Sequence, residues 1–323
     1  MPAREMKSFT LRTGFEVWQL LGDLSAWLIS VEGTDFASRL ALVLALMAAV
    51  FHASFAALQN GRDNPWISRA AIDVALFLLA WPIALFLVPW PNAEHIWLFV
   101  GVFVIHNVYK AFQGMTYARG AYTVVYPVVR GSSVLATVIV SGIVFQEVYS
   151  IWQWSGLLAL MSGIFGLAVY NWWKLQVGRE TLFSALGLAV LSGIMVAAYT
   201  TFDAYGIRQM PDPLTFVFWF FAIDSITIPL FVFVWVRQGK LSLPAIGPLV
   251  ARGLAGSVLA PLSFGCVMMA TRLDSVGIAA ALRETSVLFA AIIGVLFLKE
   301  TVGPRRICLM ALIVAGAILI NLG

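Results

Sequence analysis

The sequence predicts an all-α integral membrane protein whose ten transmembrane helices form two inverted five-helix repeats. Three observations carry this reading. The 323 residues are 61% hydrophobic and 11% charged, with a mean hydropathy of +0.92, whereas soluble domains carry about 25% charged residues. Apolar runs recur ten times, at about 38–60, 68–90, 94–116, 121–145, 153–173, 183–206, 213–236, 249–270, 275–298 and 304–322, each near the roughly 20 residues a crossing requires. One stretch also occurs twice. Laid together without a gap, 118–147 and 271–300 pair Arg119 with Arg272, Arg130 with Arg283, Ser133-Val134-Leu135 with Ser286-Val287-Leu288, and Glu147 with Glu300; the register continues to Gly163 and Gly316. Five crossings per repeat is an odd number, so the second repeat enters from the opposite side. Sites in such folds lie near the midplane where the repeats meet.

The first 37 residues stand outside the repeats. Glu16, Gln19, Asp23 and Glu32 interrupt the apolar run, which excludes a signal peptide. Val17, Leu20, Leu21, Leu24, Trp27, Leu28 and Val31 recur at helical spacing, the pattern of an amphipathic helix lying on the membrane surface; a poorly structured tail is the alternative. The first repeat occupies 38–173. Its first crossing puts His52, Phe55 and Gln59 on one face, its second carries Asp73 and Pro82, and its third sets His106, Lys110, Gln113 and Tyr117 along one stripe. That stripe cannot face lipid cheaply, so it faces other helices or a cavity. The fourth crossing holds Tyr126-Pro127 and Arg130-Gly131-Ser132-Ser133, where proline and small residues permit a kink or local unwinding. The fifth carries Gly156, Gly163 and Gly166, residues that let helices approach closely.

After a polar link the second repeat occupies 183–322. Its sixth crossing sets Ala198 to Asp203 where the first had His52 to Ala57, and Arg208 answers Arg62. The seventh holds Trp219, Asp224 and Pro229, the last answering Pro82; the eighth holds Gly253, Gly256, Ser257 and Pro261; the ninth holds Arg283 and Glu284. Cys266 and Cys308 sit in apolar helix interiors without metal spacing and read as packing residues. Connections after odd-numbered crossings hold Arg62, Arg69, Arg119, Lys174, Arg179, Arg237, Lys240, Lys299, Arg305 and Arg306, while the even ones hold Arg208 and Arg272. The positive-inside rule then sets both termini outside; Arg4, Lys7 and Arg12 in the tail argue the opposite way.

The chemistry points to Arg130 and Arg283. An arginine at bilayer depth costs at least ~2.5–3.5 kcal/mol on insertion scales and marks a functional site by default. A guanidinium holds a carboxylate or phosphonate by paired hydrogen bonds. The expected substrate site is therefore Arg130, Arg283, Glu284, Tyr126, His106, Lys110, Tyr117, Tyr199 and Trp219, with Asp203, Asp224 and His52 as coupling or ion-pairing groups. Glu284, adjacent to Arg283 and about 100° away around a helix, is an awkward partner for it, leaving Arg283 available for ligand or for an acidic residue of another helix such as Asp203 or Asp224.

Arg-Glu-Thr-Ser-Val-Leu-Phe-Ala at 283–290, running to Phe-Leu-Lys-Glu at 297–300, resembles the last repeat of the EamA-type permeases of the drug/metabolite transporter superfamily. Val-Tyr-Pro-Val-Val-Arg-Gly-Ser at 125–132 is similar to their fourth helix, His52-Ala53-Ser54 to their first, and 203–208 to the end of their sixth. The chain departs from the pattern at Phe55-Ala56 and Gly120-Ala121. The resemblance implies a multi-pass protein of a bacterial-type inner (plasma) membrane, with both termini cytoplasmic. It implies a secondary carrier, often an exporter, of amino acids or other metabolites and drugs. Its partners would be a small-molecule substrate and the lipid bilayer, with ion or proton coupling, no cofactor and no nucleic acid, as a monomer or homodimer. No phosphate-binding Gly-rich loop with Lys-Ser/Thr occurs, so this chain does not itself hydrolyse ATP. A broad cationic-drug exporter working through Glu284 is the alternative. An intramembrane enzyme is disfavoured, because Asp73, Asp203 and Asp224 are scattered singly on different helices and no paired-carboxylate or HExxH motif appears.

Overall fold

The computed structural model describes residues 3–59, 64–120, 122–174, 182–298 and 303–322. Among them every regular element is helical: α1 (Ala3–Val31), α2 (Asp35–Gln59), α3 (Pro65–Phe86), α4 (Ile96–Arg119), α5 (Tyr122–Val144), α6 (Ile151–Lys174), α7 (Leu182–Gln209), α8 (Pro213–Asp224), α9 (Thr227–Arg237), α10 (Ile246–Leu273), α11 (Val276–Arg283), α12 (Ser286–Leu298) and α13 (Pro304–Leu322), with a 3-10 turn at Ala93–His95. Nine helical stretches in the described residues are long and apolar enough to cross a membrane, counting α8 with α9 and α11 with the start of α12 as one each. The apolar part of α13, Ile307–Leu322, lies where a tenth crossing is expected and is shorter than the nine. Arg62, Arg179, Lys299 and Glu300, and the side chains of Gln59, Lys174 and Arg306, lie outside the described residues.

Local chemistry sets the starts and breaks. Asn64, Asp212 and Ser275 cap α3, α8 and α11 with side-chain oxygens that accept backbone N–H groups, and Pro65 and Pro213 fill the first position of their helices, where a missing N–H costs nothing. The seventh crossing breaks at Ser225–Ile226, four residues ahead of Pro229, whose ring cannot follow the carbonyl at i−4. The ninth breaks after Arg283: Glu284 N–H bonds Ala281 O and Thr285 N–H bonds Leu282 O, each at 3.1 Å, a tightening to i→i−3 geometry. In the fourth crossing the local unwinding that Pro127 permits does not occur. Helix α5 stays helical through Pro127, with Ser132 Oγ donating to Val128 O and Val129 O.

The densest helix packing joins α6 to α13 through glycine. A Cβ added at Gly163 would lie 2.8 Å from Leu309 O, and Ile313 lies beside it; one added at Gly316 would lie 2.6 Å from Leu160 N and 2.7 Å from Gly156 O. The repeat offset is 153 residues (272 − 119), and it maps Gly163 onto Gly316, Gly156 onto Leu309 and Leu160 onto Ile313. The contacts of the first glycine thus become those of the second with the helices exchanged. Elsewhere α2 packs on α10, α7 on both α5 and α4, and α3 on α8 and α10.

One end of the bundle is tied together. Thr215 Oγ1 donates to Pro89 O, Ser25 Oγ of α1 donates to Asp212 Oδ1 at 2.8 Å, and Glu32 accepts from Arg272 Nε at 2.5 Å. Arg272 also holds the carbonyls of Ile207 and Met210. The residue most engaged at this end is Glu147, between α5 and α6. Its carboxylate accepts from Tyr149 Oη (2.6 Å), Val276 N (2.6 Å), Gly277 N (3.1 Å) and Ser275 Oγ (2.8 Å), an anion seated on the start of α11. Burial pushes this carboxyl up, but those hydrogen bonds outweigh it and hold it below its ordinary value. Burial and the adjacent carboxylate push the Tyr149 hydroxyl up.

Candidate functional site

Both intramembrane arginines converge on one carboxylate. Glu284, fully buried, accepts from Arg130 Nη1 at 3.2 Å and from Arg283 Nε at 3.2 Å and Nη2 at 3.0 Å. The awkward geometry expected of Arg283 and Glu284 does not apply, because the helix ends between them and the tightened turn swings the carboxylate back. Arg130 Nη2 also meets His52 Nε2 of α2. Guanidinium has only donors, so His52 accepts there as a neutral imidazole, with its Nδ1–H toward Ser263 Oγ of α10 at 3.3 Å. The Tyr126 ring lies 5.0 Å from the Arg130 guanidinium carbon, within cation–π range. Two cations and one anion leave this buried group with a charge of +1. Glu284 Oε2 and Arg130 Nε have no hydrogen-bond partner among the described residues.

The stripe on α4 meets two further carboxylates. His106 Nε2 lies 2.9 Å from Asp203 Oδ2 of α7, and its ring packs between Tyr199 and Phe220 at centroid distances of 4.6 and 4.9 Å. One turn on, Lys110 Nζ donates to Asp224 Oδ1 at 2.7 Å and to the Asp224 carbonyl at 3.0 Å, at the broken end of α8. Arg69 of α3 bonds Asp73 at 2.8 Å and Asp224 at 3.4 Å. Tyr199, Thr200, Asp203, Phe264, Met268 and Arg283 line a small cavity of about 10 Å³, room for roughly one water. Asp203 Oδ1 and Thr200 Oγ1, both on its wall, lack partners among the described residues.

The structure therefore brings His52, Tyr126, Arg130, Arg283 and Glu284 into one group, with Tyr199, Asp203 and His106 beside it and Lys110 with Asp224 a turn away. Tyr117 packs at the edge of a small apolar cluster with Val125, Ala189 and Tyr199. Trp219 turns away from the cavity: it lies among Trp81, Trp90 and Phe99, because its neighbour Phe220 takes the direction toward His106. Three participants escaped the sequence reading. Ser263 and Thr200 carry no pattern that singles them out. Arg69, counted as a loop charge, had a signal in its i,i+4 spacing from Asp73. Among the described residues no group of three or more His, Cys, Asp or Glu is placed to hold a metal ion.

Comparison with known proteins gives a family match over the second part of the chain and a likeness of fold. The EamA-like transporter family model matches residues 183–322, from α7 to α13. A solved crystal structure, titled only as that of a protein, is similar with a TM-score of 0.66 at 15% identity, covering 88% of this chain and 98% of that one; at that identity the likeness concerns the fold alone. No curated protein matches the chain.

Proposed function

We propose that this chain, an EamA-type membrane transporter by the match of residues 183–322, carries a small anionic or zwitterionic metabolite by alternating access between two inverted five-helix repeats. The observation that carries the substrate reading is the convergence of Arg130 and Arg283 on the single carboxylate of Glu284. A buried +1 charge is costly in low dielectric, and an anion entering beside Arg283, on the cavity wall, relieves that cost. Across the same cavity, Asp203 Oδ1 and Thr200 Oγ1, without partners among the described residues, are acceptors suited to an amine. Both together favour a zwitterion with its acid on Arg283 and its amine on Asp203. The cationic-drug reading is weaker, because Glu284 is fully buried and already neutralised by two guanidiniums.

The repeat relation is supported by the self-mapping of the glycine contacts between α6 and α13. It is supported too by matching neighbours: α2 on α10 answers α7 on α4, and α5 on α7 answers α12 on α2. A water-sized cavity is far below the roughly 300 Å³ of a ligand pocket, so substrate entry requires the repeats to move apart. The membrane is a bacterial-type plasma membrane on this reading.

Thermal-shift screening of the purified protein against amino acids, phosphonates and quaternary amines identifies the class. Arg130→Lys and Arg283→Lys keep the charge but lose the paired hydrogen bonds, so ligand stabilisation and transport fall while the protein still folds. Arg130→Gln and Arg283→Gln are worse for an anion and mild for a cation. Full transport by both glutamine variants refutes the anionic-substrate reading.

A further inference from the structure

A second charged cluster, where α3, α4 and α8 meet, has its own chemistry. Asp73 is completely buried on α3, and only one of its oxygens, Oδ1, is bonded. Its Oδ2 is buried with no hydrogen-bond partner among the described residues, a costly condition for an ionised carboxylate. A proton on Oδ2 removes the charge, and a neutral hydroxyl without a partner costs less there than an ionised oxygen. We infer that Asp73 is the residue through which this transporter takes up a coupling proton.

The surroundings give that proton a route and a consequence. Asp73 shares Arg69 with Asp224, and Arg69 keeps 28% of its side chain exposed. Arg69 lies four residues into α3, about 6 Å from the helix end, where a long side chain reaches interfacial water. Asp203 also has an unpartnered oxygen, but its bonded partner is the buried His106. The charges facing Asp73 are Arg69 on its own helix, Asp224 from α8 and Lys110 from α4. From α10 it is glycine that meets this part of α3, Gly253 on Ala71 and Gly256 on Ile72, while Arg252 is held by Ser68.

With Asp73 ionised, Arg69, Lys110, Asp73 and Asp224 sum to zero. A proton from water bonds to Oδ2, no bond breaks within the protein, and the sum becomes +1. Lys110 stands one turn from His106 on α4, and His106 bonds Asp203 on the cavity wall, so this face of α4 links the added charge to the cavity. Proton and anion then favour each other's binding, which is the linkage a coupled carrier requires. This inference rests on the transporter reading but not on which substrate is carried.

Infrared difference spectra of the full-length protein in lipid bilayers, recorded without substrate as pH is lowered, read the proton directly. A buried protonated carboxyl gives a C=O band distinct from any carboxylate. Between about pH 7 and 5, above the range in which ordinary carboxylates take up protons, the wild type should gain one such band; Asp73→Asn should lose it, and Asp203→Asn and Asp224→Asn should keep it. If Asp73→Asn fails to fold by gel filtration, Asp73→Glu is read instead, and the band should shift in frequency. A wild type without the band overturns the inference, as does a band that survives in Asp73→Asn or stays unshifted in Asp73→Glu. Since no substrate is added, a failure of the anionic-substrate reading leaves this result intact.

Discussion

Replacing Glu284 by Gln tests the charge balance at the centre of the bundle. The glutamine keeps the shape and one acceptor oxygen but removes the negative charge that three guanidinium hydrogen bonds address. The buried group then changes from +1 to +2, because neither arginine can shed its proton. Breaking a buried ion pair by removing one partner costs about 3–5 kcal/mol, and here one substitution breaks two. The upper part of that range is expected, read as a lowered midpoint of thermal or denaturant unfolding in detergent. The reasoning also demands a rescue. Adding Arg283→Gln to Glu284→Gln returns the group to +1, so the double variant should be more stable than Glu284→Gln alone, with a coupling of about 1–3 kcal/mol. Glu284→Gln within about 0.5 kcal/mol of wild type, or a double variant whose losses simply add, would refute the idea that Glu284 is the shared counter-ion.

Two further outcomes follow from other parts of the fold. Gly316→Ala should destabilise by roughly 1–3 kcal/mol, since its Cβ would lie 2.6 Å from Leu160 N, whereas Gly187→Ala, with nothing within 4 Å, should not; paired thermal melts decide this. The Glu147 carboxyl is held below its ordinary 4.5, so its stabilisation is present above pH 4.5 and is lost as pH falls through the lower folded value. Glu147→Gln should flatten that acidic limb of a stability-versus-pH curve, and an unchanged limb would show that the loss arises elsewhere.

Much of the architecture was readable because the bilayer restricts it. A chain must satisfy its backbone polar groups internally in lipid, so apolar runs of the right length become helices almost regardless of detail. The positions of Gly156, Gly163 and Gly316 were legible for a similar reason, as few residues let two helices touch. Breaks within crossings were harder. Pro127 with the small residues after it permits a kink or local unwinding, and α5 does not unwind there, while Pro229 breaks the seventh crossing. Proline removes the i→i−4 hydrogen bond in both, so its presence alone does not tell which crossing breaks. Arg69 was misread because a charge near a helix end looks like a loop charge until its partners Asp73 and Asp224 are seen.

The repeat itself explains why the site could be found but not drawn. Matching positions paired Arg130 with Arg283, and strict symmetry would place a second carboxylate opposite Glu284. The offset of 153 residues instead maps Glu284 onto Gly131. A Cβ at Gly131 would lie 2.7 Å from the Phe165 ring, so no glutamate fits there without displacing that ring. Two glutamates for two arginines would neutralise the group and leave no reason to bind an anion. One glutamate and one glycine keep the arginine pair together while leaving a positive charge unmet. The departure from symmetry, and not the symmetry, is thus what makes the centre of this bundle a candidate binding site. Introducing the missing carboxylate in a Phe165→Ala background, as Gly131→Glu, should abolish the stabilisation of the protein by anionic ligands in thermal-shift measurements. Undiminished anion binding by that variant would show that the net charge of the arginine group does not select the substrate.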